Sequence, residues 1–187
     1  MTKVYFVRHA RPDFSVQDDF TRPLTKDGQN SSKKVSEFLS KKNISTVYSS
    51  PYKRAVDTLS DFAESLDFEI NIIDDFRERK IDDVWVEDFD SFAKKQWDDF
   101  HYKLPAGESI NEVQIRNIKA LNKLLEENKG GNIAVGTHGT ALSCIINYYN
   151  KDFKLSEFNR IRDLMPFIVC LTFKEKDFVE MKEFKLT

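Results

Sequence analysis

Two of the three histidines in this chain stand where an apolar stretch runs out: His9 follows VYFVR, and His138 follows NIAVGT. In an open α/β sheet, ligands collect beyond the carboxyl ends of the strands, so both imidazoles are expected in one crevice. Arg8 precedes the first of them directly. A third apolar stretch, ISTVYS, runs into SPYKRA and delivers Arg54 to the first turn of a helix. Free N–H groups and a partial positive charge favour anions there. Imidazoles and guanidinium groups brought together by three strand ends suit a tetrahedral dianion.

Two imidazoles could also hold zinc, but flanking arginines repel a cation and further ligands are missing, so neither a metal nor another cofactor is expected. Nucleophilic chemistry fits the set better. A neutral imidazole can attack phosphorus and carry the phosphoryl group. Arg8, Arg54 and the second imidazole would neutralise charge on the non-bridging oxygens. The departing alkoxide then needs a proton, and DDFRERK offers Asp74, Asp75 and Glu78 as donors. Position alone does not choose among the three. The remaining histidine, His101 in DFHYKLP, reads as a surface residue.

These side chains need a scaffold that places strand ends side by side. Residues 3–8 read as a first strand, 44–49 as a second, 68–73 as a third and 132–137 as a fourth. LTKDGQNSSKKVSEFLSKKN reads as a helix with Thr25 as N-cap and Val35, Phe38 and Leu39 on its apolar face. Ser50 is expected to cap the next helix with Pro51 at its first position, and Ala55, Leu59, Phe62, Ala63 and Leu66 recur at helical spacing. Residues 74–104 break this rhythm. They read as an irregular helical excursion carrying an aromatic stripe, Trp85, Phe89 and Phe92, that packs downward. A helix from about 109 to 128, one after His138, and a terminal hairpin around 174–177 complete the chain. The alternation predicts one domain, residues 1–187, with a cap or lid at about 74–104. Its fold class is a three-layer α/β/α sandwich on a mostly parallel sheet, with an antiparallel hairpin at one edge.

The bulk numbers agree with a single well-buried domain. The chain has 187 residues, 40% hydrophobic, and a formal net charge of −2. That balance suggests no nucleic-acid or membrane partner. Six of the nine arginines lie within the first 79 residues, whereas the lysines are scattered. Cys144 and Cys170 sit inside apolar runs and read as buried free thiols. The N-terminus enters a strand with no apolar leader before it, so a cytoplasmic location is the expectation.

Six segments, VRHA, PLTKDG, VYSSPYKRAVDT, FRERK, PAGESI and VGTHGTAL, follow one another in the order and spacing of a known family. The chain resembles the histidine phosphatase superfamily, in its phosphoglycerate-mutase-like branch, over roughly residues 3–147. The resemblance implies that His9 becomes a phosphohistidine. It implies that Arg8, Arg54 and His138 complete the phosphate pocket, and that Glu78 is the proton donor among the three acids. It also implies an α/β fold and no metal. Ala10 stands in place of the family's usual glycine and Thr137 in place of a common serine. The segment after Glu78 lacks the glycine and tryptophan often found there, so substrate recognition around 79–104 does not transfer.

The reading that follows is a metal-independent phosphomonoester hydrolase acting on a small phosphorylated metabolite. A phosphoglycerate mutase is the alternative among enzymes, and a phosphate- or phosphoprotein-binding pseudoenzyme is the alternative outside them. The excursion raises a further expectation. From 74 to 99 it carries ten acids against five bases, and such a rim would disfavour highly anionic substrates.

Overall fold

The computed structural model describes residues 1–84 and 86–186. Its elements in chain order are β1 (Thr2–Arg8), α1 (Lys26–Leu39), β2 (Ile44–Ser49), α2 (Lys53–Ser65), β3 (Ile70–Ile72) and a 3-10 turn (Asp74–Phe76). Then come α3 (Phe89–Asp98), α4 (Ile110–Glu127), β4 (Asn132–Thr137), α5 (Gly139–Tyr149), α6 (Leu155–Ile161), β5 (Phe167–Lys174) and β6 (Asp177–Lys185). The six strands form one sheet in the order β3-β2-β4-β1-β5-β6. Strands β1 to β4 run parallel, and β5 and β6 are antiparallel at one edge.

Strand β4 is central, and its buried run Ile133–Thr137 shows why it reads as a continuous apolar stretch rather than an alternating one. Side chains then sort by face. Tyr5 and Val7 of β1 pack with Val35, Leu39, Leu59 and Phe62 of α1 and α2. Val4 and Phe6 point the other way, into α4, α5, α6 and Trp97 of α3. The expected three-layer sandwich with its edge hairpin is the architecture observed.

Register does the work of aligning the strand ends. Arg8 lies opposite Thr137, and Ser49 opposite Gly136. The ladder continues one residue beyond each strand, with His9 N–H donating to Thr137 O (3.1 Å) and Ser50 N–H to Gly136 O (2.9 Å). His9, Ser50 and His138 therefore leave the sheet level with one another. Gly136 also admits the start of α2, because a Cβ there would lie 2.6 Å from Ser49 Oγ and 3.1 Å from Ala55 O.

Several local expectations need correction. Thr25 caps α1 as expected, its hydroxyl accepting from Gly28 N–H (3.0 Å). Ser50, however, does not cap α2. That helix starts at Lys53 behind Tyr52 without a side-chain cap, and the Ser50 hydroxyl faces His138 instead. The first turn of α2 finds other acceptors, with Lys53 N–H donating to Phe20 O (3.0 Å), and only Tyr52 N–H makes a long contact to Ser50 Oγ (3.4 Å). Strand β3 is three residues rather than six, ending where the chain turns inward at Phe76. Helix α6 has no counterpart in the sequence reading. It spans only seven residues, too few for a clear period.

In the 74–104 segment, Phe92 and Trp97 are buried, while Phe89 is half-buried. Trp85 of the expected stripe lies outside the described residues. Trp97, outside that stripe, packs against Phe100, Phe153 and Phe158, whereas Phe92 lies beside Tyr102 and both Phe89 and Phe92 lie against the Arg79 guanidinium. Several acids here are paired locally, Asp74 with Arg77 (2.6 Å), Asp83 with Lys80 (2.6 Å) and Asp90 with Arg162. Such pairing weakens the field expected of an acidic rim. His101 is exposed, and both cysteines are free and buried, as expected. No helix among the described residues is long and apolar enough to cross a membrane.

Candidate active site

The level strand ends bring the two imidazoles together in a tilted pair, with ring centroids 5.3 Å apart and an interplanar angle of 58°. His9 is 6% exposed and His138 fully buried. His9 Nδ1 lies 2.8 Å from Ala10 O. A carbonyl only accepts, so Nδ1 carries the proton, and the lone pair is left on Nε2. The backbone that holds this tautomer is itself held: Ala10 N–H donates to Thr58 Oγ1 (2.9 Å), which donates to Arg54 O (2.7 Å).

His138 is oriented by Ser50, whose Oγ lies 2.6 Å from Nε2, and by the edge of Tyr52, whose ring centroid is 5.0 Å away. Its Nδ1 is buried without a hydrogen-bond partner among the described residues, and so is Arg8 Nε. Buried polar atoms in this condition are uncommon, and two of them lie together here. Arg8 Nη1 donates to Ile161 O (2.7 Å) and Leu164 O (3.2 Å) at the end of α6. Its guanidinium lies against Gly139, where a Cβ would sit 3.1 Å from Nη2. Arg54 is 3% exposed and lies over the Tyr52 ring, 4.9 Å from its centroid.

Glu78 reaches the same place from the other side of the crevice. Its Oε2 accepts from Thr140 N–H (2.9 Å), and its Oε1 from Ala141 N–H (3.1 Å) and Arg79 N–H (2.8 Å). The carboxylate thus caps the first turn of α5, where N–H groups lack helical partners. Asp74 and Asp75 instead pair with Arg77 at the surface. The structure brings the side chains of Arg8, His9, Arg54, Glu78 and His138 close together beyond the strand ends.

The sequence reading missed how Glu78 is held. Phe76, fully buried against Phe6, anchors the segment (5.9 Å between rings). Arg116 of α4 then donates to Asp75 O (2.6 Å), Arg77 O (3.0 Å) and Glu78 O (3.3 Å), and pairs with Glu108 through Nε (2.8 Å) and Nη2 (3.0 Å). Burial pushes the Glu108 carboxyl up, but Arg116, the Lys80 N–H and Arg77 outweigh it and hold Glu108 below its usual range. Glu108 belongs to the quoted PAGESI segment, which is the one sequence signal for it. Arg116 carries no local signal at all.

Electrostatically, the pocket is poised for an anion. Burial, and then the charges of Arg54 and Arg8, hold the His9 imidazole well below its ordinary value of 6.5. Burial, and then Arg54, do the same for His138. Both rings are neutral at pH 7. Burial also pushes Arg8 down to about 10, although Glu78 and Asp163 oppose it. A cation so poorly solvated gains strongly from an anionic ligand.

A stability consequence follows. In the unfolded chain each imidazole takes a proton near pH 6.5, whereas in the folded chain it resists one. Stability from these groups is complete above the unfolded value and is lost as pH falls toward the folded value. Wild type should therefore lose thermal stability between pH 7 and 5 more steeply than His138→Gln does. Parallel slopes in melting curves would remove His138 from the linkage.

Among the described residues, no group of three or more His, Cys, Asp or Glu side chains could hold a metal ion. The geometry instead supplies an unprotonated imidazole nitrogen, buried cationic and N–H donors around it, and a carboxylate at the opposite edge.

The family model for the histidine phosphatase superfamily (branch 1) matches residues 4–182. The chain belongs to that superfamily. Among curated relatives it is 29% identical over 161 residues to a protein named probable phosphoglycerate mutase GpmB of Serratia proteamaculans, covering 79% of this chain and 74% of that one. It is 25% identical over 150 residues to the Bacillus subtilis protein named uncharacterized phosphatase PhoE, covering 78% and 76%. Among solved structures, Bacillus stearothermophilus YhfR superposes with a TM-score of 0.78 at 20% identity, over 96% of this chain and 95% of that one. A phosphoserine phosphatase variant of Entamoeba histolytica, solved with phosphoserine, gives 0.77 at 21% identity, over 96% and 94%. At such identities the structural likeness speaks for the fold. As a member of this superfamily the chain is expected to be an enzyme, and its relatives bear the names of both phosphatases and mutases.

Proposed function

We propose that this protein is a metal-independent phosphomonoesterase, a single catalytic domain of the cytoplasm acting on a small phosphorylated metabolite through a phosphohistidine. The observation that carries the reading is the His9 tautomer. With Nδ1–H engaged by the Ala10 carbonyl, the Nε2 lone pair is the nucleophile.

In the first step, Nε2 attacks phosphorus and the P–O bond to the leaving group breaks. The unpartnered Arg8 Nε and His138 Nδ1, with Arg54, donate to the non-bridging oxygens as they become equatorial. For His138 this assigns the proton to Nδ1, with the Ser50 hydroxyl donating to Nε2. The protonated Glu78 carboxyl gives its proton to the departing alkoxide. In the second step, water attacks the phosphoryl group, the P–N bond breaks back to Nε2, and the Glu78 carboxylate takes the proton from that water. Inorganic phosphate leaves and His9 returns to its starting form.

The mutase reading has in its favour the name probable phosphoglycerate mutase GpmB, borne by the Serratia relative and by others from Salmonella and Photorhabdus. The two separate by product. Incubated with 3-phosphoglycerate or phosphoserine and excess chelator, and followed by phosphorus NMR, the protein should release inorganic phosphate. Conversion of 3-phosphoglycerate to its 2-isomer without phosphate release would establish a mutase. Binding of these esters without any turnover would establish the pseudoenzyme.

A further inference from the structure

The loop between β1 and α1 touches the pocket at one point that the chemistry above leaves unused. Its neck is closed by the Pro12–Leu24 bridge and by Asp13 N–H donating to Pro23 O (2.8 Å). At its far end Asp18 Oδ1 accepts from Phe20 N–H (2.9 Å), an Asx-type turn that presents Asp19 to α2. Asp19 meets Arg54 twice: Arg54 Nη1 donates to Asp19 O (2.5 Å) and lies 3.0 Å from Asp19 Oδ1. The same Oδ1 accepts from Arg22 Nη1 (2.9 Å). One carboxylate oxygen is therefore shared between two guanidinium groups, one of them the buried cation of the proposed phosphate pocket.

Neither arginine depends on the Asp19 side chain alone for its position, since the Arg54 bond to Asp19 O is to the backbone and remains when that side chain is replaced. Arg54 lies over Tyr52 and is almost wholly enclosed. Arg22 is fixed by Val16 O (2.8 Å to Nε) and Gln17 O (3.2 Å to Nη2). The Asp19 side chain, by contrast, is 48% exposed, so it reaches in from solvent and can swing back out. A carboxylate oxygen held by two guanidinium groups also has the charge and donor environment of a phosphate oxygen.

We propose that Asp19 is a specificity-determining residue, an internal anion that holds the outer edge of Arg54 with Arg22 and sets how tightly the pocket keeps a dianionic phosphate. The inference rests on the reading of Arg54 as a phosphate ligand. Asp19 acts in two ways. It engages Arg54 Nη1, which a phosphate oxygen would otherwise engage, and it cancels one positive charge at the mouth. A pocket that turns over phosphate esters must also let inorganic phosphate go, and this carboxylate lowers the retention of that product.

The test is direct binding of inorganic phosphate to the full chain at low salt, by titration calorimetry, for wild type, Asp19→Asn, Asp19→Ala and Arg54→Ala. Glu64→Gln, exposed at the far end of α2, controls for the bare change in net charge. The two Asp19 variants should bind phosphate about tenfold tighter than wild type, and Glu64→Gln as wild type does. Unchanged affinity in both Asp19 variants overturns the proposal. Weaker affinity overturns it too, and makes Asp19 a brace for Arg54. Failure of the underlying reading shows separately, as phosphate binding that survives Arg54→Ala. Since the loop is exposed, melting curves should show every Asp19 variant folded.

Discussion

His9→Ala should lower hydrolysis of p-nitrophenyl phosphate by about 10⁴-fold or more, to the level of the no-enzyme control, while wild-type activity withstands excess chelator. The size of the expected loss comes from the step removed. Without the imidazole no covalent intermediate can form, and the donors that remain can only bind. The fold should survive, because His9 sits beyond β1 and its backbone bond to Thr137 O does not involve the side chain. Arg8 and Arg54 remain in the variant and should still bind phosphate. The variant is then an inactive binder, and unaltered phosphate affinity by calorimetry would separate loss of chemistry from loss of the site. Activity retained by His9→Ala in a folded protein would sink the phosphohistidine mechanism. Activity abolished by chelator in wild type would do the same for its independence of metal.

Glu78→Gln has a different signature, because it removes a proton rather than a nucleophile. Hydrolysis of an alkyl phosphate, whose leaving oxygen must be protonated, should slow by about 10²–10⁴-fold. Hydrolysis of p-nitrophenyl phosphate, whose leaving group departs as a stable anion, should slow far less in its first step. A plot of rate against leaving-group basicity should steepen in the variant. Equal slowing across the series would assign Glu78 to structure instead. That outcome has a physical basis in the geometry. Both carboxylate oxygens accept backbone N–H groups, from Thr140 on one side and from Ala141 and Arg79 on the other. A glutamine must turn an N–H₂ toward one of them, at a cost of about 1–3 kcal/mol. A modest drop in melting temperature alongside the steeper plot is therefore expected, and the two readouts keep the roles apart.

Much of this pocket can be read one residue at a time. His9 and His138 declare themselves because each follows a run of apolar residues long enough to be a buried strand. The carboxyl ends of parallel strands are where a sheet offers space. Arg54 follows from the same logic after β2. The helix cap at Thr25 is equally local, since its hydroxyl accepts from the backbone N–H three residues further on. Family membership adds the choice of Glu78 over Asp74 and Asp75. In the structure that choice coincides with which carboxylate faces α5 rather than solvent.

The strands, their succession along the chain and the groups at their tips are thus legible in the residues alone. These depend on periodicity and on residue type over a few positions. Which groups meet depends on how the elements pack. Ser50 turns from a helix cap into the partner of His138 across 88 residues of chain. Arg116 clamps the backbone that carries Glu78 from 38 residues away, and Asp19 reaches Arg54 from a loop whose sequence reads only as polar. No local rule links these pairs. Each exists because a buried donor or acceptor must find a partner once water is excluded, and the partner is whatever the packed neighbouring element presents.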